Sequence, residues 1–304
     1  MTVISFGRTN EIDTPSVPTL GTTGTFLVGN TTIRPNYLIN GGFEISQAAT
    51  SATITAGTAT PTQSLGYPTV DNWFAYSVGG NPTIAQVAGS GATPYRLQLT
   101  GAASITSVGI GQRIESINSA KLALKTVTLS FDCSNSLLTS LTITANRPTT
   151  TANTFGTIGT PTKTQIATTS LTINSTLTRY SYTFTCPQEV NLGLEILFTL
   201  GAQTSGTFVL SNVKLEEGSV STPFVSDAIE ELSRCQRYFL AANMLVGNAS
   251  LYINSYTFPT TMRATPISVG GGAGYGQSVI NSFGVAHFQT TGANQAFTFS
   301  AYIP

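Results

Sequence analysis

Charged residues are scarce in this sequence. Asp, Glu, Lys and Arg make up 9% of the 304 residues, and the formal net charge is zero. In an ordinary soluble domain, about a quarter of all residues are charged. A nucleic-acid binder needs a basic surface that neutralises phosphates, so this composition argues against that class of protein. Thr, Ser, Gly and Asn take the place of the charges and leave a chain that is polar without being ionic.

Long apolar runs are also missing. No stretch approaches the ~20 apolar residues that a membrane-spanning helix requires, so we expect no membrane insertion. The first residues, Met1 to Arg8, lack the basic region and the apolar stretch of a signal peptide. These two absences predict a soluble product that is made in a cytoplasm.

Cysteine and histidine are too rare to suggest a metal or a catalytic site. The three cysteines, Cys133, Cys186 and Cys235, are odd in number and lack metal-ligand spacing, which favours buried free thiols over a disulfide. Cys133 and Cys186 each end an alternating pattern and could be neighbours in one sheet. The single histidine, His287, lies between apolar residues in a predicted strand, and only one charged residue follows Tyr238, so no catalytic triad is indicated.

What the sequence does contain is a series of short stretches with a period of two, which is typical of strands with one buried face. Gly-rich and Pro-rich turns separate these stretches, and helical patterns are nearly absent. The sequence therefore predicts an all-β fold, an antiparallel β-sandwich (jelly roll) followed by a short helix and a small C-terminal β head domain. The clearest alternating sets are Tyr95, Leu97 and Leu99; Val127, Leu129 and Phe131; and Tyr180, Tyr182 and Phe184.

The stretch from Gly206 to Phe239 divides the chain. An apolar run, Phe208 to Glu216, is typical of a last strand, and Pro223 then breaks it. Asp227 with Glu230 three residues later has the form of a capping box that opens a short helix. The predicted organisation is an extended N-terminal attachment arm (1–35), a jelly-roll domain (36–221), a linker with the short helix (222–240) and a small C-terminal β head domain (241–304).

The part after the helix predicts an oligomer. A β domain of about 65 residues has little core of its own, and a surface almost without charge invites association unless a partner covers it. We expect the helix to contribute Ile229, Leu232 and Phe239 to an interface between copies of the chain.

Several stretches of the sequence resemble bacteriophage tail-fibre or receptor-binding proteins. The junction "LSNVKLEEG", "TPF" and "ELSRCQRYF" resembles the junction found in many of them. The upstream stretches "NYLINGGFEI", "DNWFAY", "GQRIES", "KTVTLSFD" and "RYSYTFTCP" follow the order of that family, and "FPTTMRATP" resembles its C-terminal head. The resemblance spans roughly residues 36–304. It implies a homotrimer in the virion, assembled in the host cytoplasm, whose residues 1–35 attach to tail or baseplate proteins and which binds host cell-surface polysaccharide.

The first part also resembles the jelly-roll carbohydrate-binding modules of polysaccharide-degrading enzymes. In those modules, acidic residues at positions that match Glu44 and Asn212 help to hold a structural calcium ion. Glu44 keeps the acidic residue, whereas Asn212 is an uncharged oxygen ligand, and calcium prefers several carboxylates. The alternative is that Glu44 caps a strand edge or hydrogen-bonds backbone groups. No other cofactor is predicted.

Aromatic residues supply a candidate sugar site. Trp73 and Tyr76 could stack on sugar rings while Asp71 and Asn72 bind hydroxyls. The alternative is that Trp73, which lies in a strand pattern, anchors the core.

Carboxylates give no clear catalytic pair. Glu115, Asp132 and Glu195 each stand alone in a strand pattern, and nothing in the sequence brings two of them together for glycoside hydrolysis. We therefore expect no enzyme. A glycan-binding fibre protein is the favoured function. The alternatives are a structural decoration or connector protein of the virion and, less favoured, a polysaccharide depolymerase.

Overall fold

The computed structural model describes residues 19–20, 24–25, 34–57, 67–90, 93–157, 159–244, 252–270, 275–289 and 295–303. Most of the predicted attachment arm, residues 1–35, lies outside these described residues. Within it, strands β1 (Thr19–Leu20) and β2 (Gly24–Thr25) form an antiparallel pair.

The described residues form two short α-helices and a large number of strands. The helices are α1 (Ser116–Ser119) and α2 (Ala228–Gln236), and 3-10 turns occupy Ala120–Leu122 and Gln188–Leu192. The strands of the sandwich are β3 (Ser51–Thr53), β4 (Phe74–Val78), β5 (Thr83–Ser90), β6 (Thr93–Thr100), β7 (Ser107–Ile114), β8 (Thr126–Asn135), β9 (Ser140–Pro148), β10 (Lys163–Thr172), β11 (Thr178–Thr185), β12 (Leu194–Leu200) and β13 (Thr207–Glu217). The later strands are β14 (Phe239–Met244), β15 (Tyr252–Thr257), β16 (Ile267–Gly270), β17 (Tyr275–Asn281), β18 (Gly284–Gln289) and β19 (Gln295–Ser300).

Two antiparallel sheets make the sandwich and confirm the predicted all-β fold. One has five strands in the order β10-β9-β12-β7-β4, and the other has six strands in the order β11-β8-β13-β6-β5-β3. Each sheet turns one face inward, and ring contacts such as Phe131 with Phe198, 5.0 Å between centroids, join the two layers. None of the described helices is long and apolar enough to cross a membrane.

The alternating patterns place their apolar residues in this core, as predicted. On β8, Val127, Leu129 and Phe131 are fully buried. Leu97 on β6 is buried as well, but Tyr95 on the same strand is 41% exposed because it lies near the strand's start. The period of two therefore identifies the inner face correctly within a strand, but it does not predict burial at the strand's ends.

The cysteines are buried free thiols, as expected. Burial raises the pKa of Cys133 and of Cys186 to about 12. The idea that these two could be neighbours is wrong: Cys133 lies opposite Thr178, whereas Cys186 follows Thr185 at the other end of the same strand pair.

A short α-helix follows the sandwich at the predicted place. After Pro223, the Asp227 carboxylate accepts hydrogen bonds from the backbone N–H groups of Ile229 (2.9 Å) and Glu230 (3.2 Å), which caps α2. These bonds satisfy donors that the first helical turn leaves open. The helix packs beside the sandwich through Arg234, which donates to the backbone oxygens of Asn36 and Leu38.

The C-terminal part consists of two small three-stranded sheets with the orders β14-β19-β16 and β15-β18-β17. His287 lies on the middle strand of the second sheet, opposite Asn254 and Gln277. The segment that follows β19 returns to the sandwich: the Tyr67 hydroxyl and the Arg113 guanidinium both donate to the Ile303 backbone oxygen, at 3.1 and 3.3 Å.

Replacing Asp227 by Ala is expected to lower the free energy of unfolding by about 1 kcal/mol, because the cap of α2 is lost. Replacing Asp227 by Asn is the matched control, since an Asn side chain also caps helices well. Urea unfolding followed by circular dichroism measures both variants. Equal losses in the two variants would contradict the role of the cap.

Candidate functional site

The outward face of the five-stranded sheet carries an ordered row of small polar residues. One residue from each strand lies in register: Tyr76 is opposite Gly109, Gly109 opposite Thr199, Thr199 opposite Thr142, and Thr142 opposite Ser170. Their neighbours along the strands, such as Val108 and Phe198, point into the core. We call Tyr76, Gly109, Thr199, Thr142 and Ser170 the hydroxyl row.

Tyr76 lies flat over Gly109 at one end of this row. A Cβ atom at Gly109 would lie 2.1 Å from Cε1 of Tyr76, so only glycine leaves room for the ring. Burial raises the pKa of the Tyr76 hydroxyl, and the neighbouring Thr199 and Ser107 side chains lower it in part. The ring is half-buried and fixed in place, with part of its surface accessible.

The rest of the row presents hydroxyl groups. The Thr142 and Ser170 hydroxyls are hydrogen-bonded to each other at 3.1 Å, and both side chains are at least partly exposed. Adjacent strands lie about 4.8 Å apart, so the row spans roughly 19 Å from Tyr76 to Ser170. None of its members is charged. The row is therefore a long, neutral strip of donors and acceptors with an aromatic ring at one end.

One step along the strands, the same face becomes apolar and then charged. Phe74 lies opposite Gly111 and is 1% exposed, with Tyr67 packed edge-on at 6.2 Å between ring centroids. The Arg113 guanidinium lies between two rings, 5.3 Å from the centroid of Phe74 and 4.8 Å from that of Phe155. The end of the face that carries Phe74 and Arg113 is therefore covered by Tyr67 and Phe155.

Glu195 holds the covered end together. Its carboxylate is fully buried and accepts from Arg113 Nε at 2.9 Å, Lys163 Nζ at 2.5 Å and Asn146 Nδ2 at 3.0 Å. Arg113 in turn donates to the backbone oxygens of Gly156 and Ile303. A buried carboxylate costs much free energy unless it is paired and hydrogen-bonded, and Glu195 is both.

A stack of three rings closes the same region. The Tyr302 ring lies parallel to the Tyr67 ring at 3.7 Å between centroids and 2° between planes, and the Phe239 ring also stacks with Tyr302, at 5.9 Å and 10°. Arg263 donates to the backbone oxygens of Ala301 and Tyr302 and fixes the segment that carries this ring. Among the described residues, these contacts cover one end of the face and leave the hydroxyl row at the other end accessible.

The four residues predicted for a sugar site do not act together. Trp73 is 2% exposed and packs on Phe43 with 5.0 Å between ring centroids, so an exposed Trp73 platform is wrong and the core alternative holds. Asp71 and Asn72 are buried as well, at 1% and 5% exposure. Tyr76 alone reaches the outer face, because it alternates along β4 with Ala75, which faces the core.

Asp71 instead helps to join the sandwich to the C-terminal part. Its carboxylate accepts from the backbone N–H of Gln47 at 2.9 Å and from Gln47 Nε2 at 2.5 Å, and the same Nε2 donates to the Phe239 backbone oxygen. Burial raises the pKa of the Asp71 carboxyl to about 6, and the bonds from Gln47 lower it in part. No ion pair joins Asp71 to another described residue.

Glu44 and Asn212, the residues considered for calcium, lie in separate hydrogen-bond networks. Glu44 accepts from the Ser226 hydroxyl at 3.2 Å, whereas Asn212 Nδ2 donates to the Asp132 carboxylate at 2.6 Å. In the part of the chain that the structure describes, no group of three or more His, Cys, Asp or Glu side chains is placed to hold a metal ion. The geometry gives the calcium prediction no support.

Of the three residues predicted for an interface, two are exposed. Ile229 is 83% and Leu232 is 37% exposed on α2, beside Val225 at 58%. Phe239 is 8% exposed and stacks on Tyr302 within the same chain, so its assignment to an interface is wrong.

The three carboxylates considered for catalysis each have a cation of their own. Glu195 pairs with Arg113, Glu115 with Arg237 and Asp132 with Arg179. A glycosidase uses two carboxyl groups that flank one scissile bond, whereas each of these carboxylates is bound to a cation in a different place. The arrangement does not resemble the acid and base pair of a glycosidase.

Sequence reasoning missed most of the hydroxyl row. Residues 149–170 are Thr-rich and poor in strand patterns, which favours a loop or hairpin, but residues 163–170 belong to the edge strand β10. Along this strand the exposed Thr168 and Ser170 alternate with the partly buried Ala167, Thr169 and Leu171. Thr142 likewise alternates with the buried Leu141 and Ile143.

No protein-family model matches the chain, and no curated protein matches it. Among solved structures, a CBM4 carbohydrate-binding module matches with 15% identity and a TM-score of 0.39, over 59% of this chain and 98% of the module. TmCBM61 in complex with β-1,4-galactotriose matches with 12% identity and a TM-score of 0.37, over 60% and 99%. The enzymatically active domain of tailspike protein 4 of bacteriophage CBA120 matches with 14% identity and a TM-score of 0.34, over 60% and 21%. The sandwich assignment rests on the strand order described above.

Replacing Glu195 by Ala is expected to lower the free energy of unfolding by about 3 to 5 kcal/mol, since Arg113 would stay buried without its partner. Glu217 is the control, because its ion pair with Lys125 is half exposed and such pairs contribute at most about 1 kcal/mol. Denaturant unfolding of both Ala variants gives the comparison, and similar losses would show that Glu195 is no anchor.

Stability is expected to depend on pH through Asp71. Its pKa is about 6 in the folded chain, above the ordinary value of 3.8, so the folded state holds the proton more tightly. This contribution is fully present below pH ~4 and is lost as pH rises through ~6, with a total of about 3 kcal/mol. The Asp71→Asn variant should lack this part of the slope. Thermal unfolding from pH 4 to 7.5 measures it, and parallel profiles for both proteins would rule the effect out.

Proposed function

We propose that this chain is a non-catalytic glycan-binding protein, and that the hydroxyl row on the five-stranded sheet is its binding surface. The observation that carries the proposal is the register of Tyr76, Gly109, Thr199, Thr142 and Ser170 across all five strands. A neutral sugar chain offers hydroxyls along its length and apolar faces on its rings. The row offers matching hydroxyls and one fixed aromatic ring.

The absence of charge from the hydroxyl row favours sugar over other ligands. Each Thr or Ser hydroxyl can donate one hydrogen bond and accept two, so the same row fits sugar hydroxyls in several orientations. An anionic or cationic ligand would find no opposite charge among these five residues. The covered end of the face, fixed by Glu195 and Arg113, gives the row a rigid support, which lowers the entropic cost of binding.

We further propose that the chain works in a virion fibre as a homotrimer. The junction stretch resembles that of phage receptor-binding proteins, and exposed apolar residues lie beside it on α2, among them Ile229 and Leu232. In this proposal residues 1–35 attach to tail or baseplate proteins of a virion assembled in the host cytoplasm. Three copies would present three hydroxyl rows to the host polysaccharide, so weak single sites would gain avidity.

A role as a structural decoration or connector protein is the second candidate, favoured by the same exposed apolar residues on α2. This candidate predicts assembly without glycan binding. A polysaccharide depolymerase is disfavoured because Glu115, Asp132 and Glu195 are each held by a separate cation.

Replacing Tyr76 by Ala is expected to weaken glycan binding by about tenfold, which corresponds to about 1.4 kcal/mol for the lost ring contact. The control is Tyr95→Ala, which removes an exposed tyrosine from the other sheet. Surface plasmon resonance on immobilised bacterial surface polysaccharide measures both, after circular dichroism shows that both variants fold. Equal binding by Tyr76→Ala and the wild type would remove the hydroxyl row as the site.

Replacing Leu232 by Asp is expected to reduce the oligomeric mass measured by light scattering, because a charge would enter the apolar interface. Leu124→Asp is the control, since Leu124 is 69% exposed and belongs to the loop after the 3-10 turn rather than to α2. An unchanged mass for Leu232→Asp would refute the proposed interface, whatever the result for glycan binding.

A further inference from the structure

A cleft of about 840 Å³ lies between the sandwich and α2. Residues 34–39 and 112–121 of the sandwich form one wall, and residues 225–238 form the other. This volume falls within the range of about 300 to 1,000 Å³ that is usual for small-molecule sites. No member of the hydroxyl row lines the cleft, so any ligand bound there occupies a separate site.

The cleft concentrates the few charges that the chain has. The sequence contains 13 basic and 13 acidic residues, and five of the basic and four of the acidic ones line this one cleft. Surface charges usually spread over a soluble protein to keep it in solution. Their concentration in a concave site points to ligand binding.

Some of these charges are paired and fix the walls. Arg237 donates to both carboxylate oxygens of Glu115 at 3.1 and 2.9 Å, and the Tyr238 hydroxyl donates to the same carboxylate. Arg234 pairs with Glu231 at 2.5 Å, and Glu231 accepts from the Asn40 backbone N–H. These bonds join α2 to the sandwich and hold the cleft open in one geometry.

Four other charges have no ion pair with any described residue. Arg34 and Lys121 lie on the sandwich wall, while Asp227 and Glu230 lie on the helix wall. The sandwich wall attracts a free anion and the helix wall repels it. A free cation is attracted by the helix wall and repelled by the sandwich wall. A hydroxyl group can donate to the carboxylates and accept from the cations, and such charge-assisted bonds are stronger than neutral ones.

The cleft also offers a neutral polar group and an aromatic ring. Asn118 and the half-buried Tyr37 both line the sandwich wall. We propose that the cleft is a second carbohydrate site, which binds a neutral mono- or oligosaccharide through Arg34, Lys121, Asn118 and Glu230. The proposal does not depend on the hydroxyl row, because the two sites share no residue.

Acetylation of lysines tests this site directly. Lys121 is exposed and lines the cleft. Lys125 is the control, because its side chain is about half exposed and does not line the cleft. The full chain is acetylated with and without maltotriose, cellotriose and galactotriose, and mass spectrometry gives the labelling rate of each lysine. At least one of these neutral sugars should slow Lys121 several-fold and leave Lys125 unchanged.

Variants separate the two sites. Glu230→Ala and Asn118→Ala should abolish the protection of Lys121, while Tyr76→Ala should leave it intact. The proposal is overturned if no neutral sugar protects Lys121, or if only acidic sugars protect it in a way that salt removes. It is also overturned if Lys121 becomes protected with rising protein concentration alone, since a second copy of the chain would then occupy the cleft.

Discussion

The Glu195 carboxylate is the constraint on which the site depends. It is fully buried on the outer face of the five-stranded sheet, so its charge must be balanced there, and Arg113 and Lys163 do so. Arg113 then extends between two aromatic rings and binds the Ile303 backbone. One ion-pair network therefore decides which end of the face the chain covers and which end stays accessible.

The scarcity of charge gives the molecule two kinds of polar surface. The hydroxyl row is neutral, and its Thr142 and Ser170 hydroxyls are hydrogen-bonded to each other. The cleft beside α2 collects five basic and four acidic residues. The row has no charge, and basic residues outnumber acidic ones by only one in the cleft, so neither surface would strongly attract a polyanion over long distances. Both suit ligands that are recognised through hydroxyl groups.

Sequence reasoning predicted the fold better than the site. The period of two identified strands such as β8, and Asp227 marked the start of α2, because burial and capping act within a few residues of the chain. The site was harder, since Tyr76 faces outward on β4, whereas Trp73, just before that strand, is buried in the core. Which face was buried depended on the partner sheet. Only the register with β7 and β12 brings Tyr76 next to Thr199, and no local pattern encodes that register.

A glycan array that carries both neutral and acidic bacterial surface oligosaccharides tests the central claim most directly. The proposed function predicts that the purified chain binds neutral members, that the signal persists at high salt, and that no sugar is cleaved during incubation. Binding confined to acidic glycans and lost at high salt, or binding to no glycan at all, would contradict it.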